Sequence, residues 1–209
     1  MVRTENLIFY YNKQQQTFKF PDINLKEQED VLIVGKSGIG KTTLLHLLGG
    51  LLKPVDGNLI IDGTTLKTLS ASKLDAFRGQ NIGMVFQKNH AIQSLTVFKN
   101  LEARLFFSKK GINTTVIDQL LTELGLVQQK NFKIKQLSEG QLQRLAIAMA
   151  VIHKPKLILA DEPTSSLDDE NCKIVIELLK KQAKNTNANL IVITHDHRIK
   201  SFFHKTIEL

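Results

Sequence analysis

The sequence predicts an α/β protein: a largely parallel central sheet, a small antiparallel β lobe and a helical segment. Two observations predict the parallel sheet. Short apolar runs with β character recur along the 209 residues, and such runs read as buried strands. Segments with helical spacing of apolar residues separate the later runs, as in strands joined through helices. A third observation predicts the lobe. The earliest runs sit close together, divided only by polar or turn-forming stretches.

In chain order, Asn6–Tyr11 and Phe18–Leu25 are expected as strands, split by the polar NKQQQ, and Val31–Val34 as the next. Leu44, Leu45, Leu47, Leu48, Leu51 and Leu52 give Thr42–Leu52 a broad apolar helical face. Pro54–Gly57 and Asp62–Gly63 read as turns around a strand at Leu59–Ile61. Ile82–Phe86 is a strand, and Lys88 to Gln136 reads as mostly helical with turns near Gly111 and Gly125. In Ser138–His153, residues Leu142, Leu145, Ile147, Ala148, Met149 and Ile152 mark a helix. Leu157–Ala160 and Leu190–Ile193 are strands, and Val175, Ile176, Leu178 and Leu179 mark the helix between them. No long linker, repeat or low-complexity tract interrupts the chain, so one domain is expected.

Hydrophobic residues at 42% and charged residues at 23% exclude a disordered chain. A formal net charge of +8 favours a polyanionic partner without choosing among nucleic acid, anionic lipid and nucleotide phosphate. The one cysteine, Cys172, excludes an internal disulfide framework and a multi-cysteine zinc site, and points to a reducing compartment. The N-terminal segment lacks the apolar stretch of a secretory signal. No run approaches the roughly 20 apolar residues of a membrane span, so work at a membrane falls to a partner chain.

The segment Gly35, Lys36, Ser37, Gly38, Ile39, Gly40, Lys41, Thr42 fits the phosphate-binding pattern G-x-x-x-x-G-K-[ST] without mismatch. The apolar strand VLIV precedes it, and a leucine-rich helix beginning at Thr42 and Thr43 follows. Glycines let the backbone wrap a phosphate with successive N–H groups aimed inward, and the helix N-terminus adds partial positive charge. Lys41 is expected to reach the β- and γ-phosphates, and the Thr42 hydroxyl to ligate Mg²⁺. A second strand, Leu157–Ala160, runs into Asp161 and Glu162. Asp161 at that edge is expected to hold Mg²⁺, and Glu162 to polarise the attacking water as general base.

A further motif is Leu137-Ser138-Glu139-Gly140-Gln141, followed by an apolar helix. Ser138 with Gln141 forms a capping box, a second helix start able to bind an anion. With Gln87 after the strand IGMVF, LILADEPTSSLD and ITHD in that order, the sequence resembles the ATP-binding-cassette (ABC) ATPases over essentially its whole length.

The resemblance implies a P-loop NTPase fold of the ABC-ATPase type. Its RecA-like core and antiparallel β lobe would occupy 1–87 and 156–209, and its helical subdomain about 88–155. It implies an ATPase that binds ATP and Mg²⁺ and pairs head to tail with a second copy, two ATP molecules lying between them. Ser138, Gly140 and Gln141 would then contact the γ-phosphate held by the opposite copy. Gln87 would contact Mg²⁺ and the water, and Ser166, Leu167 and Asp168 would form the loop crossing between copies. His195 would sense the γ-phosphate. Tyr11, ahead of Tyr10, would stack on adenine.

Within the family, LLHLLGGLLKPVDG and IGMVFQ are most like the macrolide-export and lipoprotein-release type. That likeness implies an integral-membrane permease as partner, docked by the helical subdomain, and a cytoplasmic location on the inner face of the membrane. Cell-division and peptide-resistance ATPases share these strings. A soluble cassette ATPase of iron–sulfur assembly or nucleic-acid work is the alternative. The helical segment is too short for the coiled coils of the DNA-linked relatives, so no specific nucleic acid is expected. Three positions depart from the family pattern. Glu139 stands where Gly is usual, Lys99 where Glu is more frequent, and Glu27-Gln28-Glu29-Asp30 replaces a Gly-Glu turn. With His195 so close to Leu209, no C-terminal regulatory domain is expected.

Overall fold

The computed structural model describes residues 1–12, 16–88, 90–165 and 167–209. Two five-stranded sheets carry the fold, one antiparallel and one parallel. The chain opens with β1 (Val2–Phe9), β2 (Phe18–Lys19), β3 (Asn24–Leu25) and β4 (Asp30–Val34). Then come α1 (Lys41–Leu48), β5 (Asp56–Ile61), β6 (Thr64–Thr65), α2 (Ala71–Asn81) and β7 (Ile82–Val85). Next are α3 (Val97–Phe107), α4 (Thr114–Glu123), α5 (Glu139–Val151) and β8 (Leu157–Asp161). It closes with α6 (Asp169–Thr186), β9 (Asn189–Thr194), a 3₁₀ turn at His197–Phe202 and β10 (Thr206–Glu208).

The parallel sheet has the order β10-β4-β9-β8-β7. Its strands are apolar because both faces are covered, and alternate residues enter opposite cores. Leu32, Val34, Ile158, Ala160, Leu190 and Val192 pack with the helices α3 to α6. Val31, Ile33, Leu157, Leu159, Ile191 and Ile193 pack with α1 and the antiparallel sheet. The leucines at 44, 45, 47 and 48 are therefore all buried. Gly83 is where α5 crosses β7 most tightly: a Cβ there would lie 2.0 Å from the Ala150 carbonyl oxygen, so only glycine admits this approach.

The antiparallel sheet, β2-β1-β5-β6 with β3 also on β1, is the predicted lobe. The expected strand Phe18–Leu25 is instead two two-residue strands, β2 and β3. Pro21 between them offers no N–H to a ladder. The first strand starts earlier and stops earlier than the expected Asn6–Tyr11, because Val2 to Glu5 pair with β5 as well. Gly57, read as the end of a turn, lies inside β5 opposite an irregularity between Glu5 and Ile8. The helix expected to reach Leu52 ends at Leu48, capped by Gly49. Two elements had no sequence signal. Helix α2 buries no residue fully, and β10 is three half-buried or exposed residues that add a parallel edge to β4.

Candidate active site

The loop between β4 and α1 leaves the C-terminal edge of the parallel sheet, where open α/β folds place ligands. Gly40 is the N-cap of α1 with φ 106, a left-handed value that favours glycine. A Cβ at Gly40 would also lie 2.7 Å from the Phe18 ring. The loop lines a cleft of about 850 Å³ together with Phe18, Gln87, Glu162, His195 and His197. Gly35, Lys36, Ser37, Gly38, Gly40, Lys41, Thr42 and Thr43 all contribute to its wall.

Of two sequence-adjacent acids, Glu162 lines this cleft, while Asp161 lies beside Thr42 without lining it. Asp161 ends β8 and is 8% exposed. Its Oδ2 is 3.5 Å from Thr42 Oγ1, a long contact, and its buried Oδ1 has no partner. Burial first, and then the neighbouring Glu162 charge, push the Asp161 carboxyl above its ordinary range. Such an orphaned carboxylate oxygen beside a hydroxyl fits a hard cation. Among the described residues no three His, Cys, Asp or Glu side chains gather as a metal cluster. An ion held here would therefore draw further oxygens from a bound nucleotide.

Glu162 has φ 48. A non-glycine residue in this region carries strain on the order of 1–3 kcal/mol. The turn swings the carboxylate back over the end of β9. There Thr194 Oγ1 donates to Oε2 at 2.6 Å, and the His195 N–H lies 3.2 and 3.3 Å from the two oxygens. His195 Nδ1 is 2.8 Å from Oε1. Lys41 Nζ is 3.8 Å from Oε1, and it donates to the Gly35 and Lys36 carbonyls at 2.8 and 3.1 Å. The loop's own carbonyls and this carboxylate surround the lysine.

Tyr11 is exposed, and its hydroxyl is 3.1 Å from Thr43 Oγ1. The edge-on rings of Phe9 and Phe18 flank it. The Leu137–Gln141 motif lies elsewhere. Ser138 caps α5 and accepts from Gln141 N at 3.4 Å, while the Gln141 side chain accepts from Ser138 N at 3.0 Å. Among the described residues, Ser138, Gly140 and Gln141 do not line the cleft of their own chain. Asp168 caps α6, accepts from Asn171 N at 2.8 Å and is exposed. A Cβ at Gly140 would lie 3.9 Å from Asn171 Oδ1, so the starts of α5 and α6 are neighbours. Ser166 lies outside the described residues.

Sequence reading missed Phe18, Thr194, His197, Glu208 and Leu209. Thr194 had a usable signal, since it ends the apolar run NLIVIT beside His195. His197 follows His195 by two residues, and Phe18, Glu208 and Leu209 reach the cleft only through tertiary pairing.

Residues 18–165 match the profile of the ABC transporter family. The lipoprotein-releasing system ATP-binding protein LolD of Buchnera aphidicola subsp. Schizaphis graminum is 36% identical over 193 residues, 91% of this chain and 84% of the relative. LolD of Shewanella frigidimarina is 36% identical over 180 residues, covering 85% and 75%. Among solved structures, the dimeric post-hydrolysis ATP-binding cassette MJ0796 with ADP and Pi superposes with a TM-score of 0.88. It is 34% identical, with 100% of this chain and 94% of that chain covered. The cassette cbiO1 of Clostridium perfringens, part of the ABC transporter complex cbiONQ, gives 0.88 at 26% identity, covering 99% and 83%. A phosphate loop facing an Asp161–Glu162 edge, on this fold and among these relatives, makes the chain a member of the ABC transporter family, its ATP-binding and ATP-hydrolysing subunit.

Proposed function

We propose that this subunit drives a membrane permease of the lipoprotein-release and macrolide-export type, extruding a substrate at the membrane. The LolD relatives at 35–36% identity support the subgroup. Among the described residues no helix is long and apolar enough to cross a membrane. A permease would therefore hold this chain peripherally at the inner face, through the helical subdomain of about residues 88–155. The working unit would be a head-to-tail pair of copies. That arrangement accounts for a Leu137–Gln141 motif at the start of α5 that does not line the chain's own cleft.

In the reaction, the N–H groups of Gly38 to Thr43 and the Lys41 ammonium bind the β- and γ-phosphates, the lysine leaving the Gly35 and Lys36 carbonyls. Thr42, Asp161 and Gln87 would hold Mg²⁺, which neutralises charge on the phosphates. Glu162 accepts a proton from water as the water oxygen bonds to the γ-phosphorus and the bridging oxygen leaves with ADP. His195 sits against Glu162 to contact the γ-phosphate. Ser138, Gly140 and Gln141 of the other copy close over the same phosphate, and Tyr11 stacks on adenine.

The carrying observation is Glu162, turned out of the strand by its left-handed backbone and held 3.8 Å from Lys41. The test is a pair of variants. Lys41→Ala should lose ATP binding. Glu162→Gln should bind ATP, fail to hydrolyse it and accumulate as an ATP-bound dimer on a sizing column. Normal hydrolysis by Glu162→Gln would overturn the assignment of the base.

A further inference from the structure

We propose that Arg198 is a positioning residue: it latches Thr164, Leu167 and Asp169 onto the sheet edge that holds Glu162. It thereby couples closure of the paired copies to hydrolysis. The proposal rests on the reading of Glu162 as base and of the Asp168 turn as the crossing segment.

The Arg198 guanidinium uses all three of its nitrogens. Nε donates to Asp196 Oδ1 at 2.9 Å and Nη2 to Asp196 Oδ2 at 2.8 Å, a two-pronged contact. Nη1 donates to the Leu167 carbonyl at 3.2 Å and to Asp169 Oδ1 at 2.6 Å, and Nη2 is 3.4 Å from the Thr164 carbonyl. One side chain therefore bridges the turn after β8 and the turn after β9.

From Asp196 the chain of contacts runs inward. Thr164 Oγ1 donates to Asp196 Oδ2 at 2.8 Å, which ties the first turn to the same carboxylate. The Asp196 N–H donates to Thr194 Oγ1 at 2.9 Å, and that hydroxyl donates to Glu162 Oε2. Thr164 and Thr194 are both 0% exposed, so water cannot substitute for these bonds. Hydrogen bonds from Arg198 hold the Asp196 carboxyl down at about 2, so the carboxylate stays ionised throughout the neutral range. Asp169 is largely exposed, and its pair with Arg198 alone would contribute little. The weight rests on the forked contact with Asp196 and on the Leu167 carbonyl. A lysine has the charge but not the fork.

A loosened turn would shift both the crossing segment and the water-activating carboxylate. Displacements near 1 Å cost about ten- to a hundredfold in rate, while the phosphate loop stays intact. The experiment compares Arg198→Ala, Arg198→Gln, Arg198→Lys and Glu162→Gln with the unaltered full chain. It reads hydrolysis kinetics, ATP affinity by equilibrium titration, and ATP-driven dimerisation on a sizing column in the Glu162→Gln background. Arg198→Ala should lower kcat about ten- to a hundredfold with ATP affinity within about twofold. Arg198→Lys should restore less than half of the loss, and Glu162→Gln/Arg198→Ala should lose most of the ATP-induced dimer.

Hydrolysis by Arg198→Ala within twofold of the unaltered chain overturns the latch. So does a parallel fall in kcat, ATP affinity and melting temperature, which marks a merely structural residue. If Arg198→Ala does not fold, Arg198→Gln is judged by the same criteria. An inert Glu162→Gln beside an unaffected Arg198→Ala removes the latch alone. A fully active Glu162→Gln removes the reading of the base and the latch with it.

Discussion

Thr194 Oγ1 donates a 2.6 Å hydrogen bond to Glu162 Oε2 and accepts the Asp196 N–H at 2.9 Å, from a fully buried position. Thr194→Val keeps the shape and removes both bonds. A hydrogen bond to a charged group contributes about 1.5–3 kcal/mol, and a stranded buried N–H costs about 1–3 kcal/mol. The variant should therefore lose about tenfold or more in kcat with little change in ATP affinity, and unfold at lower urea. Thr194→Ser should recover most of both. A Thr194→Val protein with full activity would show that Glu162 needs no such support.

Asp161, proposed as a Mg²⁺ ligand, carries a stability cost. Its folded carboxyl titrates above the ordinary 3.8, chiefly because it is buried and next because Glu162 is adjacent. The folded state therefore favours the neutral form. The penalty is absent below about pH 3.8, grows as pH rises toward the raised folded value and is complete above it. Asp161→Asn removes the charge, so at pH 7 the nucleotide-free variant should melt about 2–4 °C higher for each kcal/mol relieved. The gap should shrink as pH is lowered toward 4. The same variant should lose Mg²⁺-dependent hydrolysis. A lower melting temperature at pH 7 would contradict the burial argument.

The parts of the fold legible in the sequence are those whose environment repeats locally. VLIV, LILAD and NLIVIT read as strands because every residue in them is buried and their apolar residues enter one core or the other. The phosphate loop and the Asp161–Glu162 pair were legible because each is contiguous and set at a strand end. What stayed hidden depends on distant partners. Helix α2 has no fully buried face to create a period, and β10 is fixed by pairing with β4 across most of the chain. Phe18 lay inside a run read as one strand, yet its ring packs on Gly40 of the phosphate loop. Arg198 belongs to no sequence motif, and its contacts exist only because Leu167 and Asp169 fold beside it.

His153 is a buried titrating group outside the site. It is 1% exposed, its Nε2 lies 2.9 Å from Arg104 Nη2, and its Nδ1 has no partner. Burial and then the Arg104 charge push its pKa down to about 3 from an ordinary 6.5. The folded pKa is depressed, so the contribution to stability is complete above 6.5. It is lost as pH falls from 6.5 toward 3, because the unfolded chain takes up a proton that the folded one refuses. The loss approaches about 1.4 kcal/mol per pH unit. Urea unfolding at pH 7 and pH 5.5 should show this fall, and His153→Gln, which still offers Arg104 an acceptor, should show less of it. Equal falls in both proteins would place the acid sensitivity elsewhere.

Glu139 is the departure with the clearest consequence. It is exposed in the first turn of α5, where a carboxylate is favourable to the helix dipole. The capping box does not use it, since Ser138 and Gln141 make both bonds. In the proposed closed pair this turn faces the γ-phosphate of the other copy. A unit negative charge about 8 Å from another opposes closure by about 1–2 kcal/mol at an effective dielectric of roughly 20–40. Glu139→Gln and Glu139→Gly should both strengthen ATP-driven dimerisation of the Glu162→Gln protein by about tenfold at low salt. The gain should shrink in high salt as the Debye length falls toward about 3 Å. Agreement between the two variants separates charge from glycine flexibility. If only Glu139→Gly gains, the backbone is responsible. If neither gains, this carboxylate does not face a phosphate in the closed state.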